Sequence, residues 1–191
     1  MADIPLIPGR ECGTCTACCS VLTIDHPEIQ KYSGILCKNC DGKGCRIYAT
    51  RPTPCRTFYC AWRIWPEFNP LARPDRTGVL PLIEFARDEP ASHRPDITLV
   101  LYGNDRNAII RAPWFIAFVQ QAILRDVDLY LGLAAPPECL PLRASLRIDG
   151  MIVAARTSPQ AVGKVLEQAL RFLETQPFRP YALQNSGNDV G

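Results

Sequence analysis

The residues equipped for chemistry in this chain are sulfurs. Nine of its ten cysteines fall between Cys12 and Cys60. They open as Cys12-Gly-Thr-Cys15-Thr-Ala-Cys18-Cys19, continue through Cys37-Lys-Asn-Cys40 to Cys45, and end at Cys55 and Cys60. Two cysteines separated by two residues can converge on one ion, because the turn between them brings both sulfurs to one side and its N–H groups stabilise thiolate charge. That spacing recurs at Cys12/Cys15, Cys15/Cys18 and Cys37/Cys40, which favours metal ligation over a single redox dithiol. Zinc or iron is the expected metal, with an iron–sulfur cluster as one form of the latter.

Nine sulfurs are compatible with two four-sulfur sites and one cysteine left over, with a polynuclear zinc cluster, or with an iron–sulfur cluster beside a mononuclear site. Spacing does not choose among them. The run from Cys12 to Cys18 is like the opening of a cubane-binding ferredoxin segment but lacks the closing Cys-Pro. Adjacent Cys18 and Cys19 are expected to point apart and to serve either two different centres or one centre with a free thiol. Arg51 and Arg56 are placed to offset thiolate charge, and Tyr48 is grouped with them beside the ligands. Phe58, Tyr59, Trp62 and Trp65 read as packing around the last sulfurs. Cys139, alone in Pro-Glu-Cys-Leu-Pro, reads as a small hydrophobe, and His26 as a surface residue.

Composition bounds the rest. No apolar run approaches a membrane span, and no basic segment followed by a long apolar stretch opens the chain, so the expectation is a soluble cytoplasmic protein. A reducing compartment keeps cysteines as thiols, which argues against a disulfide framework. The formal charge of +2 ignores thiolates. Eight thiolates around two divalent ions would bring it to about −2, so neither nucleic acid nor membrane is indicated, and a protein partner is the remaining expectation.

The elements that must position the sulfurs divide the chain into four parts. Residues 1–66 form a cysteine-rich metal-binding module, too short to bury much apolar surface, so that ligation would contribute folding energy directly. Within it, Asp25, Pro27 and Glu28 predict a capped helix that Gly34 ends. Residues 67–95 are a connection rich in Pro and Arg, in which Val79–Phe85 looks extended and Pro81 restricts it to a sheet edge or a loop. Residues 96–178 form a small α/β domain. Ile97–Tyr102 and Asp128–Leu133 read as strands flanking a helix from Pro113 to about Arg125, the size of a βαβ unit. Asp149-Gly150 predicts a hairpin turn, and Ser158-Pro159 caps a helix carrying Val162, Leu166, Ala169, Leu170 and Leu173. Residues 179–191 are a polar tail. The predicted class is α+β, a metal-stapled module packed on a small α/β layer with a mixed sheet.

The early cysteine group and the later block Cys45-Arg-Ile-Tyr48-Ala-Thr-Arg51-Pro-Thr-Pro-Cys55-Arg-Thr-Phe-Tyr-Cys60 together resemble the CxxCxxCC, or YkgJ-like, family of zinc- or iron-chelating proteins. The resemblance covers about residues 12–60. It implies metal chelation by several of these cysteines. A related cysteine-rich region occurs in flagellin lysine methylases, so the resemblance also admits an iron–sulfur centre in an enzyme. Ala17 stands where family members often have Gly, and both Cys37 and Cys40 lie where the family commonly shows one cysteine.

Two function classes remain. The first is a metal-binding protein whose centre organises a partner-binding surface. The second is an iron–sulfur enzyme or electron-transfer protein with substrate or cofactor at an open iron position. No glycine-rich nucleotide motif, hydrolase elbow or HExxH segment adds another catalytic signature.

Overall fold

The structure, a computed structural model, describes residues 6–84, 96–125, 127–140 and 142–183. It is mixed α+β, with a four-stranded mixed sheet and a separate two-stranded sheet. In chain order the elements are α1 (Ala17–Val21), β1 (Ile24–His26), β2 (Ile29–Lys31), a 3₁₀ turn (Tyr48–Thr50), α2 (Thr53–Thr57), α3 (Ala61–Ile64), α4 (Pro74–Thr77) and β3 (Val79–Glu84). There follow β4 (Asp96–Leu101), α5 (Arg106–Arg111), α6 (Pro113–Leu124), β5 (Asp128–Ala134), β6 (Leu142–Arg147), α7 (Asp149–Ile152) and α8 (Pro159–Thr175).

The larger sheet runs β3-β4-β5-β6. Its central pair, β4 and β5, is parallel, and both outer pairs are antiparallel. A parallel pair needs a crossover, which α5 and α6 supply. The continuous apolar run Ile97-Thr-Leu-Val-Leu suits a strand covered on both faces, and β4 is central as that pattern requires. Pro81 sits in β3, on the edge, where a missing N–H leaves no inner ladder bond unmade. Pro113 opens α6, and the Ser158 hydroxyl caps α8 by accepting from the Ala161 N–H at 3.2 Å.

Alternation along the strands gives the sheet two different neighbours. Ile97, Leu99 and Leu101 join the cluster that contains Phe115, Val119, Leu166 and Leu170, so α6 and α8 cover that face. Leu80 and Val100, on the opposite side, pack with Ala17 and Val21 of α1, with Cys15 and Cys60 at the margin. The cysteine-rich segment therefore lies directly on the sheet. It also turns around the β3 edge. Trp62 and Phe68 enter the helical-side core, where Phe68 stacks on Phe118 with ring centroids 4.0 Å apart.

Two predicted elements take other forms. Residues 25–34 do not make a helix but the β1–β2 hairpin, with Ile24 opposite Lys31 and His26 opposite Ile29. Ile29 and Lys31 are buried on either side of exposed Gln30, a period of two. The Glu28 carboxylate, predicted to cap its own helix, instead accepts from the Thr53 N–H and hydroxyl, each at 2.7 Å, at the start of α2. Asp149-Gly150 likewise makes no hairpin. It begins α7, because Ile148 and Ile152, four residues apart, are both fully buried while Met151 and Val153 face solvent.

The predicted tail is engaged through its first residues. The Leu140 N–H donates to Arg179 O and the Tyr181 N–H to Glu138 O, while the Tyr181 hydroxyl donates to Asp25 at 2.8 Å. This segment fastens the β1–β2 hairpin to the β5–β6 connection. From the same side the Ser33 hydroxyl donates to Ala135 O, and Gly34 (φ +76°) stands so close that a Cβ there would meet Pro137 at 3.1 Å. Of the predicted connection, residues 85–95 lie outside the described residues.

Candidate metal centre

Each sulfur-bearing turn is formed by its own backbone. The Cys15 N–H donates to Cys12 O at 2.7 Å and the Cys40 N–H to Cys37 O at 2.8 Å, so two of the three two-residue spacings close as hydrogen-bonded turns. Cys18 and Cys19 ride on α1, Cys55 on α2, and Cys60 immediately precedes α3. The Cys37 N–H donates to Cys19 O at 2.9 Å, tying the second cysteine loop to the first.

Every early cysteine except Cys40 lines one cavity of about 510 Å³. Leu80, Leu82 and Ile83 of β3 form one wall, with Phe58 and Tyr59 at another part of the lining. All ten cysteines are free thiols. The segment is thus arranged around a sulfur-lined space where a domain of this size would carry an apolar centre.

By their electrostatic influence on one another the sulfurs fall into two sets. Cys12, Cys15 and Cys60 act on one another electrostatically. Cys19, Cys37, Cys40, Cys45 and Cys55 form the second set. The Cys19 thiol hydrogen-bonds with Cys18 and with Cys40, so neighbouring Cys18 and Cys19 meet side chain to side chain rather than pointing apart as expected. The sulfurs are close but not gathered into a tetrahedron. Among the described residues, no three His, Cys, Asp or Glu side chains are placed to share a metal ion.

Electrostatics bear on which form these sulfurs take. Burial pushes the Cys60 thiol up to about 12, with Cys12 and Cys15 adding to the rise. Cys19 is also raised, first by its hydrogen bond to Cys18 and then by burial. Burial is the main cause of the upward shifts at Cys15, Cys40, Cys45 and Cys55. Packed this way, one thiolate disfavours the next unless a positive charge sits among them.

Among the described residues two buried cationic side chains line the cavity, and neither is predicted from sequence. Arg63 is 8% exposed; its Nε donates to Arg10 O at 2.8 Å and a terminal nitrogen approaches Cys12 Sγ at 3.7 Å. Burial opposes its charge, but Cys12 and then Tyr48 outweigh that and its pKa is raised. Lys31 is 7% exposed, lines the same cavity and donates from Nζ to Leu22 O; burial lowers its pKa, and Cys37, Cys19, Cys18 and Cys55 of the lining oppose that fall.

The predicted arginines behave differently. Arg51 lines the cavity and stacks on Tyr48, 4.0 Å from the ring centroid, with its charge favouring the thiolate forms of Cys45 and Cys55. Arg56 donates to the Thr53 hydroxyl at 3.1 Å and is absent from the cavity lining. Tyr48 lines the cavity and hydrogen-bonds with Arg63. Cys139 bridges to Pro180 and takes no part in the lining. His26 lines the cavity, and its Nδ1 accepts from the Glu28 N–H at 3.2 Å. Asp105 caps α5 by accepting from the Ala108 N–H at 2.8 Å, an ordinary turn role.

The donor set suits a thiophilic cation. Soft sulfurs gathered on one cavity are the ligand type of zinc and of iron–sulfur centres. Among the described residues no helix is long and apolar enough to cross a membrane. Compared with known proteins, the chain matches no protein-family model, no curated protein and no solved structure.

Proposed function

We propose that the protein is a cysteine-ligated metal-binding protein, of the kind its resemblance to the CxxCxxCC family implies, acting in the cytoplasm. The observation that carries this reading is the convergence of eight early cysteines on one cavity, as free thiols, with Arg63 and Lys31 buried beside them. Cys12, Cys15 and Cys60 would hold one ion and Cys19, Cys37, Cys40, Cys45 and Cys55 another, with Cys18 hydrogen-bonded to Cys19. Zinc or iron, when bound, supplies the positive charge that lets several adjacent thiols ionise. The protein's own part is to hold the sulfur turns against β3. The metal then staples the segment and shapes the surface offered to a protein partner.

A second reading, an iron–sulfur enzyme or electron-transfer protein, draws support from the cavity. Its volume of about 510 Å³ falls in the range of small-molecule pockets, so a substrate or cofactor has room beside the sulfurs. Anaerobic metal and acid-labile sulfide analysis, with absorbance on the same preparation, tests both. Stoichiometric zinc without colour supports the first reading. Iron with sulfide and visible bands that bleach on reduction supports the second. A preparation with neither metal, made from cells supplied with both, sinks the proposal.

A further inference from the structure

Buried lysines are rare without an anionic partner, because removing an ammonium from water is costly. Lys31 is 7% exposed, and its one identified hydrogen bond is to the Leu22 carbonyl, a neutral dipole. Its position follows from the hairpin. Lys31 pairs with Ile24 across β1–β2 and is buried beside exposed Gln30, so the strand's alternation directs its side chain toward the cavity. Burial lowers its pKa, and the groups that oppose this and favour the ammonium are Cys37, Cys19, Cys18 and Cys55, all sulfur and all potential anions lining the same cavity.

Metal uptake changes the charge of such a site. When a divalent ion displaces four thiol protons, which leave to solvent, the site passes from neutral to about −2. An ammonium held in place by the fold then gains partners that the thiols never offered, and bound metal is favoured over free metal. Because the ammonium is buried, salt screens this little.

We propose that Lys31 is a built-in counter-ion for the sulfur group containing Cys19 and Cys37, a positioning residue that strengthens metal retention there through its charge. This inference rests on the metal-binding reading. It adds a distinction within the cavity: Arg63 serves the Cys12 end and Lys31 the Cys19 end, so the two groups respond to different substitutions.

Anaerobic titration of the full chain with cobalt(II), followed by competition with zinc(II) and a chelator, tests it through thiolate-to-cobalt absorption. Lys31→Met and Lys31→Gln should each weaken retention about 10- to 100-fold. Lys31→Arg, which keeps the charge, should retain the metal as the wild type does. Far-ultraviolet circular dichroism identifies any variant that fails to fold, and the other neutral variant then decides. Wild-type-like retention in the folded neutral variants overturns the inference, as does equal weakening in Lys31→Arg, which would mark a packing role. Failure of the wild type itself to take up cobalt or zinc overturns the metal reading instead, so the two failures are distinguishable.

Discussion

Replacing Arg10 by methionine should be the most damaging single change outside the sulfurs. Arg10 is 6% exposed, and its guanidinium donates to four carbonyls of one loop: Trp62 and Trp65 at 2.8 Å, Pro66 at 3.1 Å and Phe68 at 2.6 Å. Its own carbonyl accepts from Arg63 Nε, so the brace runs in both directions. The bonds to Trp62 O and Phe68 O are buried, and their acceptors would be left without partners; the other two are partly open to water. At about 1.5–3 kcal/mol for each charge-assisted bond, the two buried bonds put the loss at about 3–6 kcal/mol. That is a large share of the roughly 5–15 kcal/mol typical of a domain. With a urea slope of about 2–3 kcal/mol/M, the upper part of the usual range as the slope grows with chain size, the unfolding midpoint should fall by about 1–3 M. Tryptophan fluorescence reports the transition directly, because Trp62 and Trp65 sit in the braced loop. A drop below about 1 kcal/mol would show that the carbonyls are satisfied without the guanidinium, and the bracing argument would be wrong.

Gly78→Ala should destabilise the fold by about 2–4 kcal/mol in thermal unfolding, since φ is +70° and the new Cβ would stand 2.8 Å from Gly103 Cα; a loss under about 1 kcal/mol would contradict this. Glu28 is held below the usual carboxylate range by the Thr53 side-chain and backbone bonds. The stability it contributes is therefore present above its unfolded pKa of about 4.3 and is lost as pH falls through the folded value. Unfolding midpoints of Glu28→Gln should accordingly depend less on pH than those of the wild type between about pH 5 and 3, and parallel curves would refute the cap. Cys139→Ser should leave zinc or iron content unchanged by elemental analysis, and loss of one equivalent would place that thiol among the ligands.

Much of the sheet and its helices was readable in residue pattern. The apolar run of β4, the Pro113 start of α6 and the Ser158-Pro159 start of α8 state their roles locally, and tertiary packing agrees with them. Residues 25–34 misled because Glu28, spaced to close a capping box, finds its partner at Thr53 instead. At Asp149-Gly150 the turn signal lost to the burial of Ile148 and Ile152. Cysteine spacing drew attention to the early sulfurs, eight of which line the cavity, but not to how they group, which depends on contacts between turns distant in sequence. Arg63 and Lys31 carried no signal at all. Arg63 lies in an ordinary short helix, and the burial of Lys31 is visible only once β2 replaces the expected helix. The arginines beside the motif, Arg51 and Arg56, drew attention because proximity in sequence was the only available guide.

Cys60 touches both apolar clusters, the one beneath the helices and the one beneath the sulfur turns. A graft of residues 1–66 into a foreign host would carry the thiols without the floor that Leu80 and Val100 provide. Excising the same residues would strip a cover from β3 and β4 and leave a greasy slab facing water. The sulfur turns and the strand packing are therefore mechanically inseparable in this chain, and disturbance at the sulfurs should be felt as far away as α8.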